Sequence, residues 1–177
     1  MLFRSDQQPE QTVPTVCCLP WIMHNYFLQY RYSMDEQLLV RLFPLLRRSV
    51  NLLIHLLREE EDGRLHLPTT YCDEYGYAAD ASQDLALLRW GCRTLLWSAN
   101  RLNREDPDEQ RWRHILDRLV DYPTDGRGLM IGRDKPMQVS HRHFAHLLAA
   151  HPLCEINPDV PGGAELIRRS EIGRAHV

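Results

Sequence analysis

The feature that most constrains the fold is a run of leucines between residues 38 and 57. They recur about every three to four positions, the interval that puts side chains on one face of an α-helix. Such a face must be buried against other elements, so we predict a long amphipathic helix in a packed core. Pro44 is expected to kink or break it, because proline removes one backbone hydrogen bond. The leucines are Leu38, Leu39, Leu42, Leu45, Leu46, Leu52, Leu53, Leu56 and Leu57.

Both ends of this helix carry recognisable signals. Ser33 and Glu36 have the spacing of a capping box, in which the serine hydroxyl bonds the Glu36 amide and the glutamate reaches back. Gly63 is a typical residue just past a helix C-terminus. The sequence therefore predicts a start near Ser33 and an end between Glu59 and Gly63.

Five other segments are candidates for regular structure. Residues 21–32 are aromatic-rich and fit either a helix or a buried strand. Helical spacing indicates further helices over 84–103, 107–120 and 140–150, with a last one over 164–169. Asp106 before Pro107 and Glu109 makes a typical helix start for the second of these.

The connections between these segments are long. Residues 64–83 form a loop rich in aromatic and acidic residues, and loops of this length are often functional. Residues 121–139 are rich in glycine and proline, with a possible short hairpin near Leu129–Ile131. Since no run of alternating apolar and polar residues indicates a strand ladder, we predict an all-α domain. A bundle, a solenoid and a helical barrel all fit this pattern.

Composition excludes several classes of protein. The chain has 177 residues, enough for one core, and a formal net charge of −3 with arginines spread along the helices. We therefore expect no nucleic-acid partner, and no apolar run is long enough for a membrane span. The odd number of cysteines without repeating spacing indicates scattered free thiols. They are Cys17, Cys18, Cys72, Cys92 and Cys154.

The two ends look unlike the rest of the chain. The final letters Ile-Gly-Arg-Ala-His-Val match what a common sequencing adapter encodes, so residues 170–177 are interpreted as an artefact tail. Residues 1–20 have no clear period and are left unassigned. Residues 21–169 are expected to form one domain, as a fragment of a larger protein.

Five segments, taken in order, resemble a known family. Together they are similar to the central part of the catalytic domain of glycoside hydrolase family 95, the α-L-fucosidase group, over about residues 20–169. The resemblance implies a six-hairpin (α/α)6 barrel around a sugar pocket, of which this chain would supply an incomplete part. The segments are Trp21 with His24–Asn25, His66–Tyr75, Asp84–Trp90, Gly128–Gly132 and Ser140–Leu147.

The resemblance also implies an activity and catalytic residues. Members cleave terminal α-L-fucosides or α-L-galactosides with inversion, and their acid lies in a Ser-Pro-Glu motif. Here that place reads Cys72-Asp73-Glu74, so Glu74 is the implied acid. Two asparagines two residues apart help an aspartate to position water. Aligned on Gln29, they fall at Asn25 and Phe27, and we find no counterpart of the aspartate.

Physical reasoning supports some of these roles and leaves alternatives open. Burial among aromatic rings would keep an acid protonated near neutral pH, and Tyr71, Tyr75 and Tyr77 surround Glu74 in sequence. Glu74 could equally be a solvated loop carboxylate. Asn25 could hold water or a sugar hydroxyl, or simply cap or bond within the fold.

Further polar and aromatic residues are candidate sugar contacts. Aromatic rings can stack on sugars, although core packing is their usual role, and Asp80 and Asp84 could be ordinary helix caps. His141, His143 and His146 suggest zinc, but no carboxylate or cysteine lies at a convincing spacing, so no metal site is predicted. The predicted substrate-binding residues are Trp21, His24, Gln29, Tyr71, Asp84, His141 and His143.

The sequence thus predicts a fragment of an inverting exo-glycosidase with an oligosaccharide or glycoconjugate substrate and no cofactor. The alternative is a non-catalytic helical protein of the same fold, either carbohydrate-binding or a scaffold. An incomplete barrel exposes apolar helix faces, so the isolated chain is expected to self-associate and to be inactive alone.

Overall fold

The computed structural model describes residues 15–72, 75–138 and 143–172. These residues form five α-helices, a short 3₁₀ helix and three antiparallel two-stranded hairpins. The prediction of a helix-rich, all-α fold is therefore confirmed. The helices are α1 Cys18–Ser33, α2 Glu36–Leu56, α3 Ser82–Arg101, α4 Glu109–Arg118 and α5 Gly163–Ile172, with the 3₁₀ helix at Ala145–Leu147. The strands are β1 Arg58–Glu59, β2 Leu65–His66, β3 Thr70–Cys72, β4 Gly76–Ala78, β5 Thr124–Asp125 and β6 Gly128–Leu129.

The aromatic segment near the start of the described chain is the helix α1. Its buried residues include Met23, Phe27 and Tyr30, which recur at helical spacing on one face. Phe27 meets Trp90 and Trp97 of α3 with its ring edge-on, at centroid distances of 6.0 and 5.7 Å. Aromatic packing therefore fixes α1 against α3.

The predicted capping box is wrong. α1 runs through to Ser33, and Met34 closes it in a left-handed conformation with its N–H on the carbonyl of Tyr30. The N-cap of α2 is Asp35, whose carboxylate accepts the Gln37 amide at 2.9 Å. Ser33 belongs to the preceding helix. Its hydroxyl therefore accepts a hydrogen bond from the Asp35 amide, at 3.2 Å, and not from the Glu36 amide as predicted.

α2 passes through Pro44 without ending, so of the kink or break expected there, the break does not occur. The carbonyl of Val40 loses its helical partner to proline, and Val40 lies on the exposed side, where water can replace that partner. The helix ends at Leu56, earlier than predicted. Gly63 instead occupies the β1–β2 turn with φ +72°, a left-handed conformation that glycine adopts readily.

The core lies where α2 packs between α1, α3 and α4. An added Cβ at Gly91 of α3 would lie 2.4 Å from Cγ2 of Val50, so a missing side chain lets these two helices approach closely. Phe43 of α2 meets Trp112 of α4 edge-on, at a centroid distance of 6.4 Å. Both rings are fully buried. Leu39, Leu42, Leu46 and Leu53 of α2 are therefore buried as the sequence predicts, whereas Leu45 and Leu52 of the predicted face are 46% and 42% exposed.

α4 begins two residues later than predicted. Its N-cap is Asp108, while the carboxylate of Asp106 accepts the Asp108 amide at 3.0 Å in a local turn. Arg47 of α2 bonds Asp108 at 2.7 Å and lies 3.4 Å from Asp106. The acidic start of α4 thus binds α2 electrostatically.

Two loop predictions need correction. The segment 64–83 contains a tight hairpin, β3 with β4, in which Tyr71 pairs with Tyr77. The helix predicted over 140–150 is reduced, within the described residues, to the 3₁₀ turn at Ala145–Leu147 and following turns. Pro152 disfavours a helical conformation for the residue before it, which limits any extension. No helix of the described residues is long and apolar enough to cross a membrane.

Candidate functional site

A cleft of about 290 Å³ lies where the starts of α1 and α3 meet the segment 143–148. Its wall is mostly apolar and aromatic with a few polar groups, the composition typical of small-molecule sites. Two of the predicted sugar-contact residues, Trp21 and His143, line it. The lining consists of Cys17, Cys18, Trp21, Gln83, Leu87, His143, Phe144, Ala145 and Leu148.

Trp21 is half-buried, and the ring of His24 stacks on it with centroids 5.7 Å apart and planes 19° from parallel. His24 is only 2% exposed and meets Trp90 edge-on at 5.0 Å. Burial lowers the pKa of His24, and the nearby charge of His151 adds to this effect. His24, a predicted sugar contact, therefore packs as a neutral ring behind Trp21.

Gln83 is a polar residue of the cleft that the sequence analysis missed. It lies in the first turn of α3, is 2% exposed and still contributes to the cleft wall. Its side-chain amide donates to the sulfur of Cys17 at 3.4 Å. No sequence signal separates it from the ordinary polar residues of a helix start, so only the fold reveals it.

Glu74, the predicted acid, lies outside the described residues, but the hairpin on either side of it is described. The rings of Tyr71 and Tyr77 pack edge-on across β3 and β4, with centroids 5.5 Å apart. The hydroxyl of Tyr75 donates to the backbone carbonyl of His143 at 2.5 Å. The chain next to Glu74 is therefore bonded to the rim of the cleft.

Asn25 and Gln29 lie one turn apart on the exposed side of α1. Neither contributes to the wall of the cleft as the described residues define it. Phe27, which the resemblance aligns with a second asparagine, is 8% exposed and packs against α3. The role of Asn25 in holding water stays a prediction.

Asp84 is completely buried near the start of α3. One of its carboxylate oxygens accepts the Thr70 hydroxyl at 2.6 Å, so it fastens β3 to the helix. Tyr71, the next residue of β3, is half-buried. A sugar contact through Asp84 stays a prediction, and its observed contact is structural.

A charged cluster closes the base of the β3–β4 hairpin. Asp80, 1% exposed, accepts the Leu67 amide through one oxygen at 2.8 Å. Its other oxygen lies 2.8 Å from Nδ1 of His66 and 3.2 Å from Nε of Arg133. Asp62 contacts the opposite ring nitrogen of His66 at 3.1 Å. The two ends of the hairpin segment are thereby joined.

The cluster raises the pKa of His66. Burial alone would lower its pKa, but hydrogen bonds to Asp80 and Asp62 and the charges of Asp80 and Glu60 outweigh burial, so the pKa is raised. A protonated ring donates through both nitrogens, which matches carboxylates on both sides. When protonated, His66 is therefore a cationic link between acidic groups.

The histidines of the 141–146 segment separate in space. His141 lies outside the described residues, His143 is exposed at the cleft, and His146 is fully buried and lies 6.4 Å from the Phe144 ring. Within the described ranges, no three His, Cys, Asp or Glu side chains are grouped so that they could hold a metal ion.

Comparison with known families identifies one domain family that matches most of the chain. The model of the glycosyl hydrolase family 95 catalytic domain matches residues 4–170. No curated protein matches the chain. The helix-rich fold is consistent with part of the (α/α)6 barrel that this catalytic domain implies.

Proposed function

The chain belongs to glycosyl hydrolase family 95, and we propose that it carries part of the site of an inverting exo-glycosidase for terminal α-L-fucosides or α-L-galactosides. The observation that supports this most is the hydrogen bond from Tyr75 to His143. It links the segment that carries Glu74 to a cleft lined by Trp21 and His143. A carbohydrate is the substrate class that the family implies.

In the proposed reaction Glu74 protonates the glycosidic oxygen as the bond to the anomeric carbon breaks. Water attacks that carbon from the opposite face and loses a proton to a base, which inverts the configuration. Such acid and base groups lie about 6.5 to 9.5 Å apart. Asn25 is proposed to help hold the water. The residue that serves as the base is not assigned.

A second function is favoured by two observations. Phe27 replaces an amide with a packed aromatic ring, and the described part of the cleft wall contains no Asp or Glu side chain. Both features suit a protein that binds a terminal sugar without hydrolysing it. Binding and turnover must therefore be measured separately.

Binding can be located with a thiol in the cleft. Cys18 is exposed and lines the cleft, whereas Cys154 is exposed outside that wall and serves as an internal control. We expect methyl α-L-fucoside to slow maleimide labelling of Cys18 and to leave Cys154 unchanged, as followed by peptide mass spectrometry. Equal slowing or no slowing at both thiols, at saturating sugar, would place the sugar elsewhere.

Turnover is tested in the completed protein, because the isolated chain is expected to be inactive. The substrates are an α-L-fucosyl oligosaccharide, whose poor leaving group needs the acid, and 4-nitrophenyl α-L-fucoside, which needs it less. Glu74→Gln should abolish release of fucose from the first while sparing much of the second. Glu61→Gln, an exposed carboxylate, is the matched control. NMR of the first-formed anomer reports inversion. Protection of Cys18 without any turnover would favour the binding protein. The absence of both protection and turnover would refute both functions.

We also propose that the isolated chain self-associates through the outer face of α1. Leu19, Ile22 and Tyr26 on that face are 44%, 48% and 53% exposed. Sedimentation velocity should show association that increases with concentration and that Ile22→Glu reduces. Val160→Glu, at a similarly exposed site, is the control. A monomer at all concentrations would contradict self-association without affecting the sugar site.

A further inference from the structure

The hydrogen bonding of Gln83 is incomplete. A glutamine side chain offers two N–H donors and an oxygen with two acceptor positions. Among the described residues, the one partner of this side chain is the sulfur of Cys17, at 3.4 Å. Sulfur is a weak acceptor, so even this contact leaves most of the hydrogen-bonding capacity of the amide unused.

Such a residue is unusual because Gln83 is only 2% exposed. Buried polar side chains nearly always have partners from protein, water or ligand. The small part of Gln83 that remains accessible contributes to the cleft wall. Its unused donor and acceptor groups are therefore placed where a molecule in the cleft can reach them.

The rest of the wall limits the chemistry of that molecule. Within the described residues, no Asp, Glu, Lys or Arg lines the cleft. A charged ligand would lose its hydration there without gaining an opposite charge, which is costly. Leu87, Leu148 and the ring of Trp21 offer apolar surface beside the Gln83 amide. A neutral ring with C–H faces and hydroxyl edges satisfies both kinds of surface.

We propose that Gln83 determines specificity in the cleft by hydrogen bonding one hydroxyl of a neutral sugar whose ring lies against Trp21. This inference rests on the proposed function, because it assumes that the cleft is the sugar site. It extends that function by assigning recognition to a buried residue of the cleft wall. The same arrangement favours neutral sugars over uronic acids and phosphorylated sugars.

The test compares methyl α-L-fucoside with its monodeoxy analogues, using titration calorimetry on the whole chain. In the unaltered protein, one analogue should bind about three- to tenfold more weakly than the parent sugar, the loss of one hydrogen bond. Gln83→Met keeps the length of the side chain but removes the amide. The affinity of this variant for the parent sugar should fall to the affinity of the unaltered protein for the deoxy analogue. The variant should also bind the parent sugar and the analogue equally well.

Three comparisons make the result decisive. Gln110→Leu, on the exposed side of α4, should keep the discrimination of the unaltered chain. If Gln83→Met fails to fold by thermal melting, Gln83→Glu tests the same point, because it should admit the sugar but change which deoxy analogue is tolerated. An unchanged pattern of discrimination in a folded Gln83 variant overturns the inference alone. No binding of any neutral sugar by the unaltered chain overturns the proposed function and this inference with it.

Discussion

The hydroxyl of Tyr75 donates a 2.5 Å hydrogen bond to the backbone carbonyl of His143, which lies 68 residues further along the chain. The same hydroxyl lies 3.9 Å from the sulfur of Met137. One side chain thus connects the β3–β4 hairpin to two later segments. The position of the hairpin relative to the cleft depends on this connection.

Removing that hydroxyl should loosen the rim of the cleft. Tyr75→Phe keeps the ring and deletes the bond, which is expected to cost about 1 kcal/mol in the free energy of unfolding. Amide hydrogen exchange should accelerate around residues 143–148. Tyr32→Phe, at a residue 87% exposed, should change neither quantity. Unchanged exchange in the Tyr75 variant would mean that the bond does not hold the rim.

The cluster around His66 predicts a dependence of stability on pH. Because the folded state raises the pKa of His66, the stabilising contribution of its charge is fully present below the unfolded value, about 6.5. It is lost as pH rises through the raised folded value. The melting-temperature deficit of His66→Asn should therefore be larger at pH 5.5 than at pH 9.

Two comparisons check this assignment. His114→Asn, at an exposed position of α4, should lower the melting temperature only slightly, and by the same amount at pH 5.5 and pH 9. Replacing His66 leaves the buried Asp80 without one partner, a loss of about 1 to 3 kcal/mol where the ring is charged. A deficit in His66→Asn that grows toward pH 9 would show that the link is not an imidazolium.

Periodicity was sufficient to predict some helices because their buried faces are long. α2 and α3 each extend over several turns, so their apolar residues repeat often enough to be recognised. The β3 and β4 strands have three residues each, too few for alternation to be distinguished from chance. Ser33 misled because only two residues separate the end of α1 from the start of α2, so a polar residue that ends one helix stands close to where the N-cap of the next is expected.

The site was only partly accessible to sequence reasoning. Resemblance to a family selected Trp21 and His143, and both line the cleft. It could not select Gln83, whose importance depends on burial and on the absence of strong partners, properties that a sequence does not express. Nor could it foresee that His24 would pack behind Trp21, since an imidazole suits either a sugar or an aromatic cluster.

The contact between Thr70 and Asp84 should be important for stability. Thr70→Val keeps the shape of the side chain but removes its 2.6 Å bond to the buried carboxylate. A loss of about 1.5 to 3 kcal/mol is expected, because the acceptor is an acidic group in the interior. Thr94→Val, at a buried site of α3, is the matched control and should cost less. Equal losses of unfolding free energy in the two variants, measured by urea unfolding, would show that the Thr70–Asp84 bond contributes no extra stability.

The close approach of α2 and α3 predicts that the effect of Gly91→Ala on the free energy of unfolding changes sign when Val50 is also replaced. Gly91→Ala alone places a methyl group 2.4 Å from Cγ2 of Val50, well inside contact distance, and overpacking of this kind costs about 1 to 3 kcal/mol. In the background of Val50→Ala that clash is absent. Alanine is favoured over glycine within a helix by about 1 kcal/mol, so the same change should then stabilise the protein. Four chemical denaturation curves, for the unaltered chain, both single variants and the double variant, give the coupling energy directly. A destabilising effect of Gly91→Ala in both backgrounds would mean that Val50 is not what limits the approach of the two helices.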